Sequence, residues 1–87
     1  MKDQPHPKDE ESISRAVREI IAEHLSISEE DTAPDKTLRE LGADSLDTVE
    51  IEMELEDHFQ ILMPDSAEDG DETIKQLTAR LMRGLAD

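Results

Sequence analysis

Three stretches of the chain repeat apolar residues at the spacing of an amphipathic helix. In the first, which Ser12 is predicted to cap, one face comprises Ile13, Val17, Ile20 and Ile21, with Leu25 at its edge. In the last, from about residue 72 to residue 85, the inward face comprises Ile74, Leu77, Leu81 and Leu85. A further helix is predicted over residues 44–59. The pattern predicts a small all-α bundle.

The segments between these stretches carry turn and loop signals. Residues 1–11 are polar and include Pro5 and Pro7, so they are predicted to be a disordered tail before a domain spanning residues 12–87. Residues 26–43, punctuated by Pro34 and Gly42, predict a long loop between the first two helices. An extended stretch at 61–64 and a short helical turn at 66–70 complete the expected fold. The expectation is three longer helices and one short helix.

The predicted second helix bears two apolar stripes rather than one. Ile51, Leu55 and Phe59 align on one face, and Leu62 would extend that line if the helix reached it. The roughly opposite face carries Leu46, Val49 and Met53. Many acidic residues separate the two stripes. If the helix were fully buried, these unpaired carboxylates would lose their hydration, which costs several kcal/mol for each one. One stripe is therefore expected to face the core, and the other to lie exposed with an acidic rim, as in a transient docking surface.

Charge narrows the classes of partner. The 87-residue chain has a formal net charge of −15, and thirteen acids but no Lys or Arg lie between Arg39 and Lys75. This charge disfavours nucleic acid and anionic membranes as partners and favours proteins with basic patches. The absence of cysteine excludes disulfides, thiolate metal sites and cysteine catalysis. With no apolar stretch of spanning length and no signal-peptide pattern, the chain is expected in the cytoplasm, and a monomer is expected.

One serine stands out chemically, in the sequence LGADSLD at residues 41–47. Ser45 is a candidate helix cap, a candidate nucleophile and a candidate attachment point. A catalytic nucleophile is disfavoured for three reasons. Acidic neighbours oppose formation of an alkoxide, the sequence has no G-x-S-x-G elbow, and the histidines fall on the tail or near helix C-terminal ends, away from a serine at the start of a helix. Since Asp44 already supplies a cap, the Ser45 hydroxyl is expected to lie exposed in the first turn, where a helix N-terminus stabilises an attached phosphate.

Residues 41–50, LGADSLDTVE, resemble the signature of acyl carrier proteins, particularly the free-standing bacterial type of fatty acid synthesis. The similarity continues through Met53, Leu55, Glu56 and Phe59 to the MPD at residues 63–65, and covers roughly residues 12–85. The resemblance implies an acyl-carrier-like bundle in which the serine is esterified by 4′-phosphopantetheine, taken from coenzyme A by a separate transferase. The attachment residue would be Ser45, with Asp44 and Leu46 as its motif neighbours.

The resemblance also implies a function and a set of partners. The arm ends in a thiol that holds acyl groups as thioesters. A chain without cysteine has no thiol of its own, so the cofactor would supply it. The protein would be a non-catalytic carrier for fatty acid synthesis or a related specialised lipid or polyketide pathway. It would present its cargo to the transferase and to acyl-transferring, condensing and acyl-modifying enzymes with basic docking patches. The expected docking residues on the second helix are Leu46, Asp47, Val49, Glu50, Met53, Glu56 and Asp57.

Some residues depart from that family pattern. Glu52 and Glu54 stand where fatty acid carriers usually have an apolar and a small residue, and Asp71, after Gly70, stands where an apolar residue is usual. These departures predict a weaker short helix and poorer shelter for a long acyl chain, and they leave both fatty acid synthesis and a specialised pathway open.

Two other carrier or adaptor functions stay open: an aminoacyl or peptidyl carrier, and an acidic adaptor without a cofactor. A calcium sensor is disfavoured, because Ala67 and Gln76 fail two ligand positions of the EF-hand pattern. No specific metal site is expected, only loose divalent binding near Asp65, Asp69 and Asp71. His24 is interpreted as a hydrogen-bonded or partly exposed histidine rather than a metal ligand.

Overall fold

Three α-helices account for most of the residues that the computed structural model describes, which are 9–64 and 72–86. They are α1 (Glu10–Leu25), α2 (Ser45–Phe59) and α3 (Ile74–Ala86), with a 3-10 turn at Glu29–Asp31 between α1 and α2. The described part of the chain forms no strand beyond a single Thr37–Thr73 bridge. The predicted all-helical bundle is confirmed, while the short helix predicted at 66–70 lies outside the described residues.

The first helix starts earlier than the sequence indicated. It begins at Glu10 behind an N-cap at Asp9, so Ser12 is not the cap, and its hydroxyl instead donates to the Asp9 carboxylate at 3.2 Å. Glu10 and Glu11, assigned above to the tail, belong to the first turn of α1. Acidic side chains in a first turn are stabilised by the helix dipole, which explains why the helix extends through them.

The core forms where the apolar faces of the three helices meet. The loop residue Leu38 and the post-helical Met63 complete a cluster whose helical members are Ile13, Val17, Ile21, Ile51, Leu55, Ile74, Leu77 and Leu81. The predicted inward faces are thus confirmed, with Ile20, Leu25, Phe59 and Leu85 partly buried at the cluster's margin. None of the helices in the described ranges is long and apolar enough to cross a bilayer.

The long loop between α1 and α2 is held at two points along its length. Arg18 of α1 donates its Nε–H to the Thr32 hydroxyl at 3.1 Å, and Thr32 is fully buried. Further along, the amide of Ile74 donates to the Lys36 carbonyl at 2.8 Å, next to the Thr37–Thr73 bridge. These contacts fix the path by which the loop delivers the chain to the start of α2.

The turn that enters α2 requires a glycine. Gly42 has φ of 97°, a left-handed conformation that side-chain-bearing residues rarely adopt. A Cβ on Gly42 would meet no heavy atom within 4 Å, so the backbone conformation, rather than crowding, selects glycine here.

Candidate functional site

The N-terminus of α2 is closed by two aspartates that cap each other. The amide of Asp47 donates to Asp44 Oδ1 at 2.8 Å, and the amide of Asp44 donates back to Asp47 Oδ2 at 3.0 Å. This is a capping box built entirely from carboxylates. The Asp44 amide, with a smaller contribution from His24, holds the pKa of Asp47 below its usual range.

Ser45 is the first residue of α2 and takes no part in that box. Its side chain is exposed, and within residues 9–64 and 72–86 no hydrogen bond engages its hydroxyl. The first amides of a helix lack intrahelical acceptors and point outward at the positive end of the dipole. A phosphoester at this position would therefore meet backbone N–H donors without displacing a structural hydrogen bond, so the site fits a phosphate-linked group.

Neither of the described histidines pairs with the serine. Both ring nitrogens of His24 contact carboxylates of α2, and His58 lies at the opposite end of the same helix. Thirteen residues separate Ser45 from His58, which is about 20 Å along a helix. Among the described residues, Ser45 is therefore an exposed serine without a histidine base in reach.

The two apolar stripes of α2 take the opposite faces that the sequence predicted. Ile51 and Leu55 are fully buried, whereas Leu46, Val49 and Met53 are 64%, 52% and 60% exposed. Leu62 is the exception, because α2 ends at Phe59 and Gln60 turns the chain with φ of 58°. The turn leaves Leu62 84% exposed and buries Met63 in its place.

Two of the predicted docking acids also hold the structure together. Asp47 belongs to the capping box, and Glu56 accepts the Met63 amide at 3.0 Å, which fixes the segment after α2. Glu50 and Asp57 lie exposed beside the apolar stripe. The acidic rim therefore contains half-buried groups that hold the structure together and exposed groups, of which Glu50 also lies 3.3 Å from His24 Nε2.

Glu52, one of the residues that depart from the family pattern, ends in an ion pair with a buried arginine. Arg80 of α3 is 3% exposed and donates from Nη2 to Glu52 at 2.7 Å, from Nε and Nη2 to Glu72, and from Nη1 to the Pro64 carbonyl. Glu72 and then Glu52 raise the pKa of Arg80 above its ordinary value, against the opposing effect of burial. Sequence reasoning missed Arg80, although its position three residues after Leu77 places it at the edge of the inward face.

Glu54, the other departure on α2, contacts a cation-forming side chain of α1. His24 Nδ1 lies 2.9 Å from Glu54 Oε2, while Nε2 lies 3.3 Å from both Asp47 Oδ1 and Glu50 Oε1. Glu54 raises the pKa of His24, chiefly through its hydrogen bond. The hydrogen bond to Asp47 raises this pKa further, whereas partial burial lowers it. The partly exposed, hydrogen-bonded histidine expected from the sequence is confirmed.

Comparison with known families gives a match over this site. A family described as "PP-binding: Phosphopantetheine attachment site" matches residues 15–81, more than three quarters of the chain. The matched span runs from the first turns of α1 through most of α3, and it contains the exposed serine at the start of α2.

Proposed function

Because the chain belongs to the family of phosphopantetheine attachment domains, we propose that Ser45 is its attachment residue and that the attached arm carries acyl groups. The family is defined by covalently bound 4′-phosphopantetheine, so the chain is a carrier protein bearing that arm. When attached, the group supplies a terminal thiol for thioester chemistry, which this cysteine-free chain lacks. The proposed pathways are fatty acid synthesis or a related specialised lipid or polyketide route.

The assignment to Ser45 rests on one observation: two aspartates cap the start of α2, and the serine between them does not take part in the cap. Asp44 and Asp47 satisfy each other's amides, so the serine hydroxyl is available without loss of the cap. In the proposed attachment, Ser45 Oγ forms a bond to the phosphorus of coenzyme A that bears the pantetheine. The pyrophosphate bond breaks, adenosine 3′,5′-bisphosphate leaves, and the transferase accepts the hydroxyl proton.

We further propose that partner enzymes dock on the exposed stripe of α2. Leu46, Val49 and Met53 offer an apolar centre next to the attachment residue, and Glu50 and Asp57 offer charge to a basic partner. Apolar centres with charged rims are typical of transient interfaces, where rim charges chiefly raise the association rate.

Attachment is tested with the purified apo chain, coenzyme A and a carrier-protein transferase. Intact-mass spectrometry should show the addition of one phosphopantetheine to the parent and to Ser14→Ala, a control serine on α1. Ser45→Ala should stay unmodified with an unchanged thermal melt, because the capping box remains. Modification of Ser45→Ala at the parent rate would refute the assignment.

Docking is tested with the same transferase reaction. Val49→Asp should lower kcat/KM at least about tenfold, because it places an unpaired charge in the apolar centre of the interface. Ala79→Asp adds the same charge at an exposed position of α3 and should leave kcat/KM within about twofold of the parent. Equal kinetics for the two variants would argue that partners dock elsewhere.

A further inference from the structure

The imidazole of His24 bridges α1 to three carboxylates of α2, and its two nitrogens have different surroundings. At 2.9 Å from Glu54 Oε2, Nδ1 makes an ordinary hydrogen bond. On the other side, Nε2 faces Asp47 Oδ1 and Glu50 Oε1, each at 3.3 Å. Charge-assisted N–H···O contacts are usually about 2.7–2.9 Å, so the hydrogen bond between Nε2 and Asp47 Oδ1 is a long one, and Glu50 Oε1 lies at the same distance.

Those longer distances match the edges of a metal coordination sphere. Tetrahedral zinc binds histidine nitrogen and carboxylate oxygen at about 2.0–2.2 Å, which places neighbouring ligand atoms about 3.3–3.5 Å apart. His24 Nε2, Asp47 Oδ1 and Glu50 Oε1 all lie within 4.8 Å of one another. Glu50 is about half exposed, so its side chain has the freedom to close the remaining gap.

Two of these three groups are already oriented as metal ligands usually are. Glu54 is positioned to accept from Nδ1–H, and a metal ion would replace the proton on Nε2, which already faces the two oxygens. The Asp44 amide donates to Asp47 Oδ2 and leaves Oδ1 for the cluster. A carboxylate behind the histidine and a hydrogen bond behind the ligating carboxylate are the supports that fix metal ligands in zinc sites.

We propose that His24, Asp47 and Glu50 form a binding site for a divalent transition-metal ion such as Zn²⁺, with water at the remaining position. The imidazole distinguishes the site from the acid-rich surface around it, because Mg²⁺ and Ca²⁺ select oxygen ligands while Zn²⁺ favours nitrogen as well. The two carboxylates balance the ion's charge. The bound ion links the end of α1 to the first turns of α2, two residues from Ser45.

The test is calorimetric titration of the intact apo chain with ZnCl₂ in a non-coordinating buffer, alongside MgCl₂. One equivalent of Zn²⁺ should bind more tightly than Mg²⁺, and His24→Gln should weaken that binding at least about tenfold. The control is His58→Gln, which removes the exposed imidazole at the other end of α2 and should leave Zn²⁺ affinity unchanged. Glu54→Ala should weaken binding about tenfold, because the imidazole loses the acceptor that orients it.

A second ligand variant and a spectroscopic measurement complete the test. If circular dichroism shows that His24→Gln is poorly folded, Glu50→Gln serves instead. It removes a carboxylate ligand, keeps the imidazole, and should also weaken Zn²⁺ binding. Co²⁺ in place of Zn²⁺ should give the absorption spectrum of a four-coordinate site with nitrogen and oxygen ligands. Zn²⁺ affinity equal to that for Mg²⁺, or insensitive to both His24→Gln and Glu50→Gln, would overturn the proposal and leave only diffuse binding to surface acids.

Discussion

Replacing Arg80 with methionine should be among the most destabilising single changes in the domain. The guanidinium is buried and cross-links α3 to Glu52 of α2, to Glu72 and to the Pro64 carbonyl. Methionine is of similar length and fits an apolar site, so the variant removes the charge and the donors with little change in volume. It leaves two carboxylates without their cation.

The expected cost follows from the burial of those carboxylates. Removing one partner of a buried ion pair usually costs about 3–5 kcal/mol. Glu52 and Glu72 retain 31% and 14% side-chain exposure, so water recovers part of their solvation and the lower end, about 3 kcal/mol, is expected. At about 0.05–0.15 kcal/mol per residue, a chain of 87 residues has roughly 4–13 kcal/mol of stability in total. The substitution therefore removes a large share of it.

Urea unfolding followed by circular dichroism measures this cost, with ΔG extrapolated to water. Arg83→Met is the control, since Arg83 is exposed on the same helix and should cost less than about 0.5 kcal/mol. Glu52→Gln should cost about 1 kcal/mol, because Arg80 keeps Glu72, and should cost less still in the Arg80→Met background. If Arg80→Met and Arg83→Met are equally stable, the buried cross-link does not hold α2 to α3.

Four other substitutions test the faces and contacts of the helices by the same unfolding assay. Leu55→Ala in the core should cost about 2–5 kcal/mol and exposed Met53→Ala less than about 1 kcal/mol, and the reverse order would mean that the faces are misassigned. Gly84→Ala should destabilise α3 despite the better helix propensity of alanine, because its Cβ would lie 3.1 Å from Cδ of the rigid Pro64 ring as well as 2.9 Å from Ile61 Cδ1; a stabilised variant would contradict that close approach. In chelator-treated buffer, His24→Gln should lower the free energy of unfolding most below pH 6.5. The pKa of His24 is raised in the folded state, so the protonated imidazole stabilises the fold at low pH, and this contribution is lost as pH rises through the folded-state pKa. A loss of stability that does not depend on pH would refute this explanation.

Local patterns in the sequence were enough to predict the helices and the site serine. Helical spacing located the buried stripe of α2 at Ile51 and Leu55, and the GADS sequence indicated both the turn and the cap before Ser45. These features depend on neighbours within one or two turns, which a single sequence displays directly. The start of α1 was misplaced because Asp9 and Ser12 are both good caps and local sequence does not rank them.

The charged partners were beyond prediction because they join distant parts of the chain. Glu52 and Arg80 lie 28 residues apart, and His24 and Glu54 lie 30 residues apart. Sequence reasoning treated Glu52 and Glu54 as unpaired departures from a family pattern, whereas each contacts a basic side chain on another helix. Which acids find such partners depends on how the helices pack, and helix packing is not encoded in the periodicity of any one helix.

The central claim is that Ser45 bears the phosphopantetheine, and peptide mass spectrometry of the protein isolated from its native cell tests it most directly. Trypsin should release residues 40–75 as one peptide, because no Lys or Arg lies between Arg39 and Lys75. Fragment ions that separate Asp44 from Leu46 should place the mass of one phosphopantetheine, with or without its acyl cargo, on Ser45. The same mass on another residue of that peptide, or a fully unmodified Ser45 in cells whose other carriers are modified, would contradict the account.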